Sequence, residues 1–216
     1  MIRVAISVEG QTEYEFCEKI LVPHFRDKSI ELTPIIVATS RKKCGTKHKG
    51  GCINLDRVAN EISKLLPNFD YVTTFYDLYG FSGIDESMPV EDLEEVMYGK
   101  FDNIKYIPYV QKYEFETLLF SDANYYEELL TSDAKVNMDN IINAHEGNIE
   151  NINNSKETAP SKRIEKIFTD NNETYDKVFH GYSIIEEIGL SKVREKSCRF
   201  NAWLKKIEAL SQMENI

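Results

Sequence analysis

The sequence predicts an α/β protein, with a parallel sheet of about four strands followed by a helical C-terminal extension. Three observations carry this. Short β-branched runs alternate with amphipathic stretches from residue 2 to about residue 110. The first of these runs is apolar at nearly every position, as a strand covered by helices on both faces must be. From Glu114 onward the strand signals fade and helical periodicity takes over. The expected division is an α/β domain over residues 1–121 and a helical extension over 122–216 packed on it.

In order, "IRVAISV" (2–8) reads as the first strand. Thr12 is placed to cap a helix through about Phe25, with Phe16, Ile20, Leu21 and Phe25 on one side. "LTPIIVA" (32–38) is a second strand, and "INLDRVANEISKLL" an amphipathic helix that stops before Pro67. "DYVTTFYDLYG" (70–80) is a third strand ending in an aspartate. A short helix near 91–98 and a fourth strand, "IKYIPYV" (104–110), complete the alternation. Beyond it "EFETLLF", "ANYYEELL", "VNMDNIINAHE", "SKRIEKIF", "TYDKVFHGYSIIEEI" and "CRFNAWLKKIEAL" read as helices, and "GNIENINNSKETAP" as a polar loop.

Composition bounds the function. With 216 residues, 42% hydrophobic and 29% charged, the chain suits one or two well-cored domains. No window reaches the roughly 18 apolar residues of a membrane helix, and the N-terminus turns polar too soon for a signal peptide. The four cysteines are then expected to be free thiols and the location cytoplasmic. A net charge of −10 disfavours non-specific polyanion binding unless positive charge is locally concentrated or metal ions screen the site.

Ligands of open parallel sheets bind at the carboxyl ends of the strands. Acids stand there after three of the four expected strands: Glu9, Asp77, and Glu114 with Glu116. Glu13, one turn into the first helix, is able to face the same crevice. Two carboxylates about 4 Å apart repel by roughly 1 to 4 kcal/mol, so gathering several calls for a proton or a cation between them. Hard oxygen ligands favour Mg²⁺, Mn²⁺ or Ca²⁺ over zinc. Taken singly, an acid after a strand is also a turn residue or a helix cap, and "EFE" equally suits a helix start. Glu9 and Asp77 together make the stronger case, since each ends a buried-looking strand and precedes a glycine stretch.

"VEGQTE" followed downstream by "YDLYGF" resembles the toprim domain of topoisomerases, primases and related nucleases. More closely, the ordered set "VEGQTE", "HKGGCINLDRV", "YDLYGF", "YEFETLLFSD", "APSKRI", "KVFHGYSIIEEIGL" and "CRFNAWL" resembles the toprim-like family catalogued as domain of unknown function 4276. The resemblance implies a Rossmann-like core and a metal-dependent nuclease site using Mg²⁺ or Mn²⁺. Glu9 matches the toprim glutamate, a metal ligand or general acid/base. Glu13 matches the second acid of the overcoming-lysogenization-defect nucleases, and Asp77 the first aspartate of D-x-D. Tyr79 occupies the place of the second aspartate, so Glu114 or Glu116 is the expected substitute ligand. The resemblance also implies a separate ATPase partner in antiviral defence.

"SRKKCGTKHKGG" gathers Arg41, Lys42, Lys43, Lys47 and Lys49, either a phosphate-contacting loop or a solvated one. Cys44, His48 and Cys52 have no evident fourth partner for a structural zinc. "APSKRI" starts a helix with Ser161 as expected cap. Lys162 is a candidate for stabilising transition-state charge through the family match. Lys177 and His180 are candidate phosphate contacts, although a lone histidine is more often structural. No P-loop, G-x-G-x-x-G or G-x-S-x-G occurs. The expected function is a metal-dependent phosphodiester hydrolase, a toprim-type nuclease on DNA or RNA. The alternatives are a degenerate binding or regulatory subunit and an enzyme acting on nucleotides.

Overall fold

Five parallel strands form the sheet expected from the alternation, in the order β2-β1-β3-β4, with β5 also pairing β3. They are β1 (Ile2–Val8), β2 (Ile30–Ile36), β3 (Tyr71–Asp77), β4 (Tyr106–Ile107) and β5 (Val110–Gln111). The structure is a computed structural model and describes residues 1–37, 53–85, 87–153, 155 and 158–213. The chain divides into two compact units, Met1–Gln111 with Lys205–Ile216, and Lys112–Leu204.

The sheet lies in the first unit and is of the Rossmann-like α/β type. β1 is buried at six of its seven positions, which accounts for its unbroken apolar run. The helical stretch after it runs as α1 (Gln11–Phe16), a π-helical segment (Cys17–Leu21) and α2 (Val22–Arg26). The widened turn falls just before Pro23, which has no amide to give to a regular helical ladder. α3 (Leu55–Leu65) is capped by Asn54, whose side chain accepts from the Arg57 amide at 2.9 Å. α3 and α4 (Val90–Gly99) supply Val58, Ile62, Leu93 and Met97 to a core that also holds Ala5, Val72 and Tyr76 of the sheet.

The fourth strand differs from the single run expected over 104–110. Pro108 cannot donate to the ladder, so pairing with β3 stops after Ile107 and resumes at Val110 in unchanged register. Threonine hydroxyls of β3 bridge the gap. Thr73 donates to the Ile107 carbonyl at 2.6 Å, and Thr74 both accepts from the Tyr109 amide and donates to its carbonyl at 2.9 Å.

The second unit contains α5 (Asn124–Leu129), α6 (Ser132–Asn143), α7 (Pro160–Asp170), α8 (Lys177–Ile188), α9 (Leu190–Lys196) and the first part of α10 (Cys198–Met213). "EFETLLF" forms a 3₁₀ segment, Phe115–Ser121, buried at all seven positions. Among the described residues no helix is long and apolar enough to cross a membrane.

Candidate functional site

β1 leads to β2 on one side and the chain returns to β3 on the other, so the strand order reverses between β1 and β3. Such a switch point opens a crevice at the carboxyl ends of the two strands. Glu9 and Asp77 flank it. Val8 pairs with Phe75, which brings Glu9 level with the Tyr76–Asp77 end of β3. One oxygen of each carboxylate, Glu9 Oε2 and Asp77 Oδ1, is buried.

Local structure fixes both residues. The Gly10 amide donates to Glu13 Oε2 at 2.9 Å, closing the joint between β1 and α1. Glu13 therefore acts as the capping partner at N3. Gly10 is the N-cap instead of the expected Thr12, because the helix starts two residues earlier than that cap implies, at Gln11. One step back in each strand, the buried Tyr76 hydroxyl donates to Ser7 Oγ at 2.6 Å and ties β3 to β1. Burial pushes the Tyr76 phenol above its usual range, and the charges of Glu61 and Glu9 push the same way. On the other side of Asp77, in register with it, lies Gln111, buried and accepting from the Tyr109 hydroxyl at 2.8 Å.

After Asp77 the chain turns through a 3₁₀ segment, Leu78–Gly80, which includes Tyr79. Its carbonyl at Gly80 accepts from the Ile53 amide at 3.0 Å, and the Ser82 amide returns to the Ile53 carbonyl at 2.8 Å. Gly80 lies directly against the Glu9 carboxylate.

Glu114, Glu116, Lys162, Lys177 and His180 belong to the second unit. The Ser161 amide donates to Glu114 Oε2 at 2.9 Å, so Glu114 caps α7. Ser161 itself sits inside the first turn, after the N-cap Ala159 and Pro160. Glu116 is completely buried and pairs with Lys177 Nζ at 2.9 Å; the Tyr175 hydroxyl lies 3.4 Å from the same oxygen. Burial raises the Glu116 carboxyl to about 7 even though Lys177 opposes the shift. Lys162 pairs with Glu165 at 2.6 Å on an exposed face of α7. His180 accepts the Asp176 amide at Nδ1, 2.9 Å away, and its ring stacks on Tyr175 and lies against Phe168. Burial lowers the His180 pKa, which favours the neutral ring.

Arg41, Lys42, Lys43, Lys47 and Lys49, with Cys44, His48 and Cys52, lie outside the described residues. Among the described residues no three His, Cys, Asp or Glu side chains are gathered as a metal cluster. Carboxylate oxygens of the Glu9 and Asp77 kind nevertheless fit Mg²⁺, which takes one or two carboxylates and fills its octahedron with waters and substrate phosphates. Sequence reasoning passed over Ser7, Tyr76 and Gln111. Their signal was position, since each is polar and stands at or near the carboxyl end of a strand.

The family model described as Domain of unknown function (DUF4276) matches residues 8–208. No curated protein and no solved structure matches.

Proposed function

The chain belongs to the DUF4276 family, and on that premise we propose that it is a metal-dependent phosphodiester hydrolase, a nuclease of toprim type acting on DNA or RNA. The observation that carries the proposal is the placement of Glu9 and Asp77 at the carboxyl ends of adjacent parallel strands, on either side of the switch point. Glu9 and Asp77 would hold Mg²⁺ or Mn²⁺. When bound, such an ion supplies positive charge to a phosphate and acidifies a coordinated water. Glu9 has a second possible duty as general acid/base. Glu13 fixes the joint from which Glu9 projects, and the Ser7–Tyr76 hydrogen bond fixes the spacing of the two strands.

The test is cleavage of DNA and RNA in Mn²⁺ by the full chain and its Glu9→Gln and Asp77→Asn variants. Loss of a catalytic carboxylate costs about 10²- to 10⁴-fold in rate. Calorimetry with Mn²⁺ on the same variants should show weakened binding. Cleavage that survives both substitutions would remove the proposal.

A second reading, a degenerate binding or regulatory subunit, is favoured by one observation. Tyr79 stands in the Leu78–Gly80 turn where the toprim pattern has its second aspartate. That subunit would bind its partner equally with and without metal, and equally after Glu9→Gln. A cytoplasmic location and a separate ATPase partner in antiviral defence accompany the nuclease reading as parts of the same proposal.

A further inference from the structure

Gly80 occupies a place that no other residue fits while Glu9 keeps its position. A Cβ at residue 80 would stand 2.1 Å from Glu9 Oε2, 2.7 Å from its Cδ and 2.8 Å from Oε1. All three distances lie inside van der Waals contact, and they fall on the whole carboxylate at the far end of the Glu9 side chain, so it is this group that must move to admit a Cβ. The backbone gives no other reason for glycine here. Gly83, Gly147 and Gly189 have positive φ, whereas Gly80 does not. The 3₁₀ turn is also held against retreat. Ile53 grips the Gly80 carbonyl, Ser82 grips Ile53, and the Phe81 ring lies against buried Tyr76 at 6.1 Å between centroids. Leu78 and Phe81 both pack on the core of this unit.

We infer that Gly80 is a positioning residue: its bare Cα is the seat of the Glu9 carboxylate, set three residues after Asp77 so that one turn carries one acid and seats the other. This deepens the metal-site reading and rests on it for its functional consequence, although the contact itself does not. Any side chain at residue 80 must expel the Glu9 carboxylate from the end of β1. A shorter acid would escape the clash, because aspartate withdraws the carboxylate by one methylene.

Two measurements test this. The first is a double-mutant cycle in urea on Gly80→Ala, Glu9→Ala and the pair, which isolates the contact without reference to metal. Gly80→Ala should lower the folding equilibrium constant at least about tenfold in the wild-type background and much less beside Glu9→Ala. An equal loss in both backgrounds overturns the inference, since the glycine would then serve some other neighbour. The second is Mn²⁺ titration by calorimetry. Gly80→Ala should raise the Kd at least about tenfold, and Gly80→Ala with Glu9→Asp should recover much of it, a rescue that a purely structural role would not give. Wild-type affinity in Gly80→Ala overturns the positioning role. Absence of Mn²⁺ binding by the wild-type chain overturns the metal reading and leaves the seat to be decided by the urea cycle.

Discussion

Glu116 sets two physical effects against each other, and burial prevails. Its side chain has no solvent exposure, while its partner Lys177 is 45% exposed and spends part of its charge on water. The carboxyl therefore titrates at about 7 in the folded unit, against 4.5 for an ordinary glutamate. Between those values the folded chain holds a proton that the unfolded chain has released, so stability falls as pH rises through this interval and levels off above it. Urea unfolding across pH should show wild type losing ground to Glu116→Gln between about pH 4.5 and 7. A gap that stays constant, or moves the other way, would show that Lys177 outweighs burial. The contrast with Glu9 is instructive at this scale. Both acids were legible because each follows or begins a run of apolar residues. What each touches was not legible, because Gly80 and Lys177 reach them only through strand register and helix packing far along the chain.

At the scale of elements, the sequence made most strands and helices readable. Two of the departures involve a backbone group served by a residue distant in sequence, and a third turns on a single glycine. The fourth strand breaks at Pro108, yet its register survives because Thr73 and Thr74 of β3 take over the missing links. α9 went unread because Gly189, with φ of 86°, looks like a helix stop and is also the point where the next helix begins. α7 is the clearest case. Ser161 reads as a cap, but the helix starts at Pro160 and the Ser161 amide is met by Glu114. Glu114→Ala should accordingly cost about 1 kcal/mol, the usual worth of a cap. Glu114→Gln keeps an acceptor and loses only the charge–dipole attraction, about 0.3 to 1 kcal/mol. Denaturant midpoints of the two variants should fall in that order. Equal losses would mean that the hydrogen bond itself contributes nothing.

At the scale of the whole molecule, the first unit is discontinuous: it needs both the N-terminal 111 residues and the chain's last stretch. Residues 205–213 continue α10, whose hydrophobic positions are read from sequence as ordinary helix core. Their place in the first unit is secured by Glu208, whose Oε1 lies 2.8 Å from His24 Nε2 and 3.8 Å from Lys28 Nζ. Ile207 is completely buried and Leu210 nearly so. Two buried aliphatic side chains are worth about 3 to 6 kcal/mol, a large share of the roughly 5 to 15 kcal/mol that holds a domain together. A chain ending at residue 204 should therefore unfold at a much lower urea concentration than the full chain. Ile207→Ala alone should lose about 2 to 5 kcal/mol, which separates the loss of burial from the loss of the His24–Glu208 pair. If the chain cut at residue 204 kept the full-length midpoint, residues 205–213 would add nothing to the stability of the unit that carries Glu9 and Asp77.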